Sequence, residues 1–136
     1  MIQHIDFILP AKPRGFHLIT EILLQKLGPL PSEGLIHLFI KHTSAGLCIN
    51  ENADPSVRFD LNQVINKLIP DNDPIYTHTL EGDDDMPAHI KAMITGSSVS
   101  IPIKKGHLDL GTWQGVYLCE FRNRGGSRKI TATIIS

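Results

Sequence analysis

Apolar and polar positions alternate along this chain with two different periods, and each change of period marks a predicted element. Ile2 to Leu9 alternates imperfectly with a period near two and stops at Pro10, which predicts a first strand. Gly15 to Leu18 reads as a second, shorter one. Thr20 is placed to cap a helix through Ile22, Leu23 and Leu27 that Gly28 and Pro29 end. Gly34 then opens Leu35 to Ile40, a run suited to a buried strand that delivers His42 at its end. Leu47 to Ile49 reads as its partner across a turn at Ala45 and Gly46.

Beyond Asp54 the period changes to that of a helix. An acid followed by proline is a strong helix start, because the carboxylate accepts free N–H groups and proline has none to leave unpaired. Val57, Leu61, Val64, Ile65 and Leu68 follow at helical spacing until Pro70. Asp71 to Pro87 is polar and aperiodic, too long for an ordinary connector, and loops of that length in a compact domain are usually either functional or disordered. A short helix is predicted from Met86 to Thr95, closed by Gly96. From Ser97 onward the pattern is all β. Val99, Ile101 and Ile103 alternate around Pro102, which suggests an edge or a bulge. Val116 to Phe121 and Ile130 to Ile135 read as a hairpin across Asn123 to Ser127. Strands with two or three unevenly distributed helices predict an α+β sandwich built on a mainly antiparallel sheet.

A chain of 136 residues suffices for one domain with a real core and is too short for two, so a single domain over 1–136 is expected. A hydrophobic share of 41% and a charged share of 20% fit a globular protein rather than a disordered one. A formal net charge of -1 gives no reason to expect nucleic acid as a partner. No apolar run reaches membrane-spanning length, and the first residues lack the basic and apolar regions of a signal peptide, so no membrane and a cytoplasmic location are expected. Cys48 and Cys119 fit no Cys-x-x-Cys pattern and read as free thiols, with a disulfide the minor alternative.

The candidate chemistry lies in the polar stretch. Asp83, Asp84 and Asp85 repel one another unless a cation or solvent neutralises them, and His78 and His89 flank them with neutral nitrogen ligands. Asp85 and His89 are four apart; a helix begun by Asp85 would put both on one face, with His78 arriving from the loop. Three N/O ligands with an open position suit a catalytic divalent ion, zinc or magnesium. The competing reading is a solvated acidic turn. His42 at a strand end is either a site residue or a backbone hydrogen-bonding partner. Glu51 and Glu81 are candidate acid/base groups or orienters of a histidine. Arg122, Arg124, Arg128 and Lys129 surround a glycine-containing turn and either hold phosphate oxygens or form a basic rim. No Walker or dinucleotide loop is present, so phosphate binding would rely on these side chains, Lys91 or a metal.

The run from Ser98 to Val116, with Ile101-Pro102-Ile103, Gly106 and Gly111-Thr112-Trp113-Gln114, resembles the signature of the YjbQ-type family. The resemblance extends to the segment from His42 to Gly46, to Asn50-Glu51-Asn52-Ala53-Asp54-Pro55 and to the segment from Glu81 to Lys91, and covers essentially the whole chain. It implies an α+β sandwich assembled as a homotrimer, with a polar pocket near the subunit boundary formed by the histidine and acid motifs. It also implies a thiamine-phosphate-synthase-like activity, in which a pyrimidine methyl diphosphate joins a thiazole phosphate and pyrophosphate is released. His42, Glu51 and Glu81 would then be catalytic. Lys91, Trp113, Gln114, Arg122 and Arg128 would bind a small phosphorylated metabolite, and His78, Asp85 and His89 would hold the metal. A metal-dependent hydrolase would use the same residues, and a trimer that captures a metal or metabolite without chemistry is the third reading.

Overall fold

A computed structural model describes residues Met1–Ser136. The elements run β1 (Ile2–Leu9), β2 (Gly15–Leu18), α1 (Thr20–Leu27), β3 (Glu33–Ile40), β4 (Ala45–Glu51), α2 (Pro55–Leu68), α3 (Asp85–Thr95), β5 (Ser98–Lys104), β6 (His107–Leu108), β7 (Gln114–Glu120) and β8 (Arg128–Ile135). The strands form two antiparallel sheets, one in the order β1-β8-β3-β5-β6 and one in the order β2-β7-β4. The fold is the α+β sandwich that the alternation of strand and helix periods predicts.

Strand alternation decides which residues make the core. Ile36, Leu38 and Ile40 of β3, Ile101 and Ile103 of β5, and Ile130, Ala132 and Ile134 of β8 project from one face of the large sheet. They meet Leu47 of β4 and Val116 and Leu118 of β7 from the small sheet, with Leu23 and Leu27 of α1 closing one end. Each such side chain contributes roughly 1.5–3 kcal/mol on burial. The residues between them in the small sheet, Tyr117 and Cys119, turn to the other face and pack with Phe16, Phe121 and Ala88 beneath α2 and α3. The order is therefore large sheet, small sheet, helices. No helix is long and apolar enough to cross a membrane.

Three local expectations are corrected. The pair of strands around Asn123 to Ser127 is not a hairpin: β7 lies between β2 and β4, whereas β8 lies between β1 and β3 in the other sheet. β4 likewise is not the partner of β3 but of β7. In both places the second strand crosses to the opposite sheet, because each buries its apolar face from the other side of one core. Thr20 does not cap α1. Its hydroxyl instead accepts the Val116 N–H at 2.9 Å and ties the helix to β7. Asp54 does cap α2, accepting from Ser56 N–H at 2.9 Å. β5 is bordered beyond Pro102 only by the two-residue β6, which suits a proline near a sheet edge. Cys48 and Cys119 are free thiols whose sulfurs lie 3.5 Å apart on neighbouring strands.

A candidate metal centre

α3 starts at Asp85, so Asp85 and His89 share its first turn and one face. The 71–84 segment brings His78 back over that face. His78 Nε2 lies 2.7 Å and His89 Nε2 3.0 Å from the same oxygen, Asp85 Oδ2. The candidate ligand atoms of the three residues all lie within 4.8 Å of one another. The other carboxylate oxygen, Oδ1, accepts from Arg122 Nη1 at 2.6 Å. Arg122 also donates through Nε to Asp84 Oδ2 at 3.2 Å and through Nη2 to the Glu81 carbonyl at 3.0 Å. One guanidinium thus fastens the β7–β8 turn to the long segment and fixes the Asp85 carboxylate.

His89 decides what the cluster is suited to hold. Its Nδ1 lies 2.8 Å from the Thr43 carbonyl oxygen, which only accepts, so Nδ1 carries the proton. In the neutral ring Nε2 then presents a lone pair, and it faces the oxygen of a carboxylate. Two acceptors 3.0 Å apart repel unless a proton or a cation sits between them. A ring N–H anchored on a backbone carbonyl is how metal-binding histidines are oriented. Burial pushes the Asp85 carboxyl upward, but bonds from His78 and the charges of His89 and Arg122 outweigh it, and the carboxyl titrates below its ordinary value. Asp84 is held low in the same way: burial raises it, and the Asn123 N–H and Arg122 overcome that.

His42 stands beside this centre. With His89, Thr43, Met93 and Ser97 it lines a cleft of about 270 Å³. Its Nε2 accepts the Lys129 backbone N–H at 2.7 Å, so the remaining nitrogen carries the proton. Burial, and then the charge of Arg128, lower its pKa and favour the neutral ring. His42 therefore offers the cleft a hydrogen-bond donor, and its basic nitrogen is already engaged.

The other sequence candidates are placed elsewhere. Glu51 ends β4 at the opposite end from Ala45, about 20 Å away by strand rise, and its carboxylate caps the next turn at Ala53 N–H, 2.7 Å. Gln114 is paired with Glu51 in register, and its side-chain oxygen accepts from Gly111 N–H at 2.8 Å. Trp113 stands in the same turn, exposed. Glu81 contributes only its carbonyl, and its side chain points outward without a partner. Arg128 is buried against Glu120, which takes both its Nε and its Nη2, so it cannot rim a phosphate site. Lys91 is 0% exposed and donates to Asn66 Oδ1 at 2.6 Å, out of reach of any ligand. Sequence reading did not find the Thr43 carbonyl or Glu120. Glu120 carries a signal: it is the only charge in Val116 to Phe121, and such an acid must find a buried cation.

Lys91 gives a prediction. Burial, and then the neighbouring Arg14 charge, lower its pKa to about 8 from 10.5. Below pH 8 both folded and unfolded chains hold the proton, and the fold carries the full cost, about 3 kcal/mol. Between pH 8 and 10.5 the folded chain releases the proton first, so stability rises with pH. Lys91→Met is expected to raise the urea midpoint at pH 7 and to lose that alkaline gain relative to wild type. A lower midpoint at pH 7 with the alkaline gain intact would sink this account.

A family model described as UPF0047 protein YjbQ-like matches residues 6–136. The UPF0047 protein YjbQ of Salmonella typhimurium is 52% identical over 128 residues, 93% of this chain and 92% of that protein. The UPF0047 protein YugU of Bacillus subtilis is 40% identical over 102 residues, 75% of this chain and 74% of that one. Among solved structures, an uncharacterized conserved protein of the YjbQ/UPF0047 family from Clostridium acetobutylicum superposes with a TM-score of 0.82 at 40% identity, covering 96% of this chain and 99% of the other. A conserved hypothetical protein from Thermus thermophilus does so at 0.82 and 36%, covering 94% and 97%.

Proposed function

The chain belongs to the UPF0047 YjbQ-like family, and from that premise we propose that it is a metal-assisted enzyme acting on a small phosphorylated metabolite, with the ion held by His78, Asp85 and His89. The observation that carries the reading is His89, whose one ring nitrogen donates to the Thr43 carbonyl while the other lies 3.0 Å from the Asp85 carboxylate, a contact that a proton or a cation must bridge. Two imidazole nitrogens and one carboxylate oxygen favour zinc over magnesium, which takes oxygen ligands. Three protein ligands leave a position open, as in catalytic rather than structural sites.

The resemblance to thiamine-phosphate-synthase-like proteins names a specific reaction. The C–O bond of a pyrimidine methyl diphosphate breaks, pyrophosphate leaves with the bonding electrons, and the thiazole nitrogen forms a C–N bond to the methylene carbon. A bound divalent ion would supply charge stabilisation for the leaving diphosphate. Arg122 keeps Asp85 ionised and pointed, and the free N–H of His42 donates to a ligand oxygen in the cleft. A homotrimer is part of the proposal. Its support is an apolar row across the outer face of the large sheet, Ile2–Ile135–Leu35–Pro102, in which Ile2, Ile135 and Leu35 are exposed in the single chain.

The test is metal content by mass spectrometry on protein purified without chelators, beside His78→Ala and His89→Ala, with mass determined by light scattering. Near-stoichiometric zinc in a trimer, lost in both variants, is the expected result, together with zinc-dependent formation of thiamine phosphate from the two precursors. Metal with hydrolysis of phosphate esters and no coupling would replace the synthase reading by a hydrolase. Metal with neither reaction would leave a binding protein, and absence of metal from metal-replete preparations would sink the metal reading.

A further inference from the structure

Two of the four cations around the β7–β8 turn are engaged inward, Arg122 with Asp84 and Asp85 and Arg128 with Glu120. Arg124 is not, and the fold sets a second free cation opposite it. The residues linking β1 to β2 run beside the turn, and the two segments enclose a groove of about 470 Å³ with Lys12 and Pro13 on one wall and Asn123, Arg124 and Gly126 on the other. We propose that this groove is an oxyanion site that takes the phosphate or diphosphate group of the substrate, with Lys12 and Arg124 as its charged walls. The proposal rests on the enzyme reading above and assigns the phosphate-bearing end of that substrate.

Charge is the first argument. Neither Lys12 nor Arg124 forms an ion pair or a side-chain hydrogen bond within the chain. The acids that touch the turn are already neutralised. Asp84 takes Arg122 and the Asn123 N–H, and Glu120 takes Arg128 and the Arg122 N–H. The two cations therefore face the groove without a local counter-charge, and concave positive surfaces focus anions.

Rigidity is the second. A Cβ on Gly125 would lie 2.5 Å from both Arg128 Nη2 and Glu120 Oε1, so the turn rests directly on the buried ion pair and requires glycine there. Two carboxylates pin its first two N–H groups, Arg122 N at 3.1 Å from Glu120 and Asn123 N at 2.9 Å from Asp84. A turn held in this way loses little entropy when an anion arrives. The backbone N–H groups of Arg124 and Gly126 find no acceptor in the chain and add donors for phosphate oxygens.

Position is the third. The turn that carries Arg124 also carries Arg122, which holds the Asp85 carboxylate at 2.6 Å. One turn therefore carries both a wall of the groove and the side chain that holds the candidate metal centre in place.

The test is isothermal titration of the as-purified full chain with inorganic pyrophosphate and with inorganic phosphate at low salt, using Arg124→Gln, Lys12→Gln, the double variant and Lys105→Gln in the distant β5–β6 turn as a control. Saturable binding is expected, weakened about tenfold by each single substitution and lost in the double variant, with Lys105→Gln unchanged and metal content equal in all. Tighter binding of pyrophosphate than phosphate would assign a diphosphate group, and the reverse a monophosphate. Equal affinity in wild type and double variant, or no binding in wild type, would overturn the site. The two readings fail separately. Binding lost in the double variant of a metal-free protein keeps the groove and removes the metal centre, whereas normal metal with unaltered pyrophosphate affinity does the opposite.

Discussion

Asp85→Asn is expected to weaken zinc binding by at least about 100-fold, more than removal of a group that merely orients a ligand, while leaving the fold in place. Asp85 would supply the only anionic ligand, and its Oδ2 is the point on which both histidine rings converge. An amide keeps the shape but removes the charge, leaving two neutral imidazoles for a divalent ion. The architecture survives because Arg122 retains Asp84 and the Glu81 carbonyl. Metal content and circular dichroism of the purified variant check this directly, and full zinc occupancy in Asp85→Asn would refute the centre. The acid side is predicted as well. Because the folded Asp85 carboxyl titrates below its unfolded value, its contribution to stability is present above about pH 4 and is lost as pH falls through the folded value. Asp85→Asn should therefore flatten the acid limb of the stability curve.

The largest effect on stability is expected at the other carboxylate. Arg128→Met should cost about 3–5 kcal/mol, a fall of about 10–20 °C in Tm. Glu120 is 0% and Arg128 3% exposed, and the pair is bidentate, with Nε to Oε1 at 2.7 Å. Removing the guanidinium leaves an unpaired anion under the small sheet, with only the Arg122 N–H to solvate it. The remedy is chemical. Glu120→Gln combined with Arg128→Met should recover a large part of the loss, because a neutral amide costs less to bury than a carboxylate. Thermal denaturation of the two variants separates the cases, and a double variant no more stable than Arg128→Met would show that packing rather than charge is at stake.

Much of this architecture was legible in the chain. The helix at Asp54-Pro55 announces itself because its cap and its proline act within four residues. β1, β3 and β8 announce themselves by alternation, since each has one face in the core. The assignment of strands to sheets was not legible. β7 and β8 follow one another with a glycine-containing turn between them, as a hairpin would, and nothing local distinguishes a turn that folds back from one that crosses a core. The difference lies in Glu120 and Arg128, which pair only after the crossing is made. The metal candidates could be read because Asp85 and His89 are neighbours on a helix whose start the sequence marks approximately. Glu51 could not be separated from them by sequence, although β4 carries it to the far end of the molecule. Arg122 and Arg128 illustrate the same limit: a cation near a turn looks available for phosphate until its acid arrives from 37 or 8 residues away.

The place of β8 in the large sheet has a consequence for how the molecule comes into being. It lies between β1 and β3, so neither of those strands has its shared neighbour until the last strand is made. On the ribosome β1 and β3 would emerge with two apolar strand faces and wait for a segment far behind them in the chain. Such closure is of high contact order and slow, on the order of milliseconds to seconds for sheet-rich domains. Until β8 arrives the nascent chain carries open β edges, the state in which strands from different chains pair wrongly. The strand that closes this sheet is the one made long after its two neighbours.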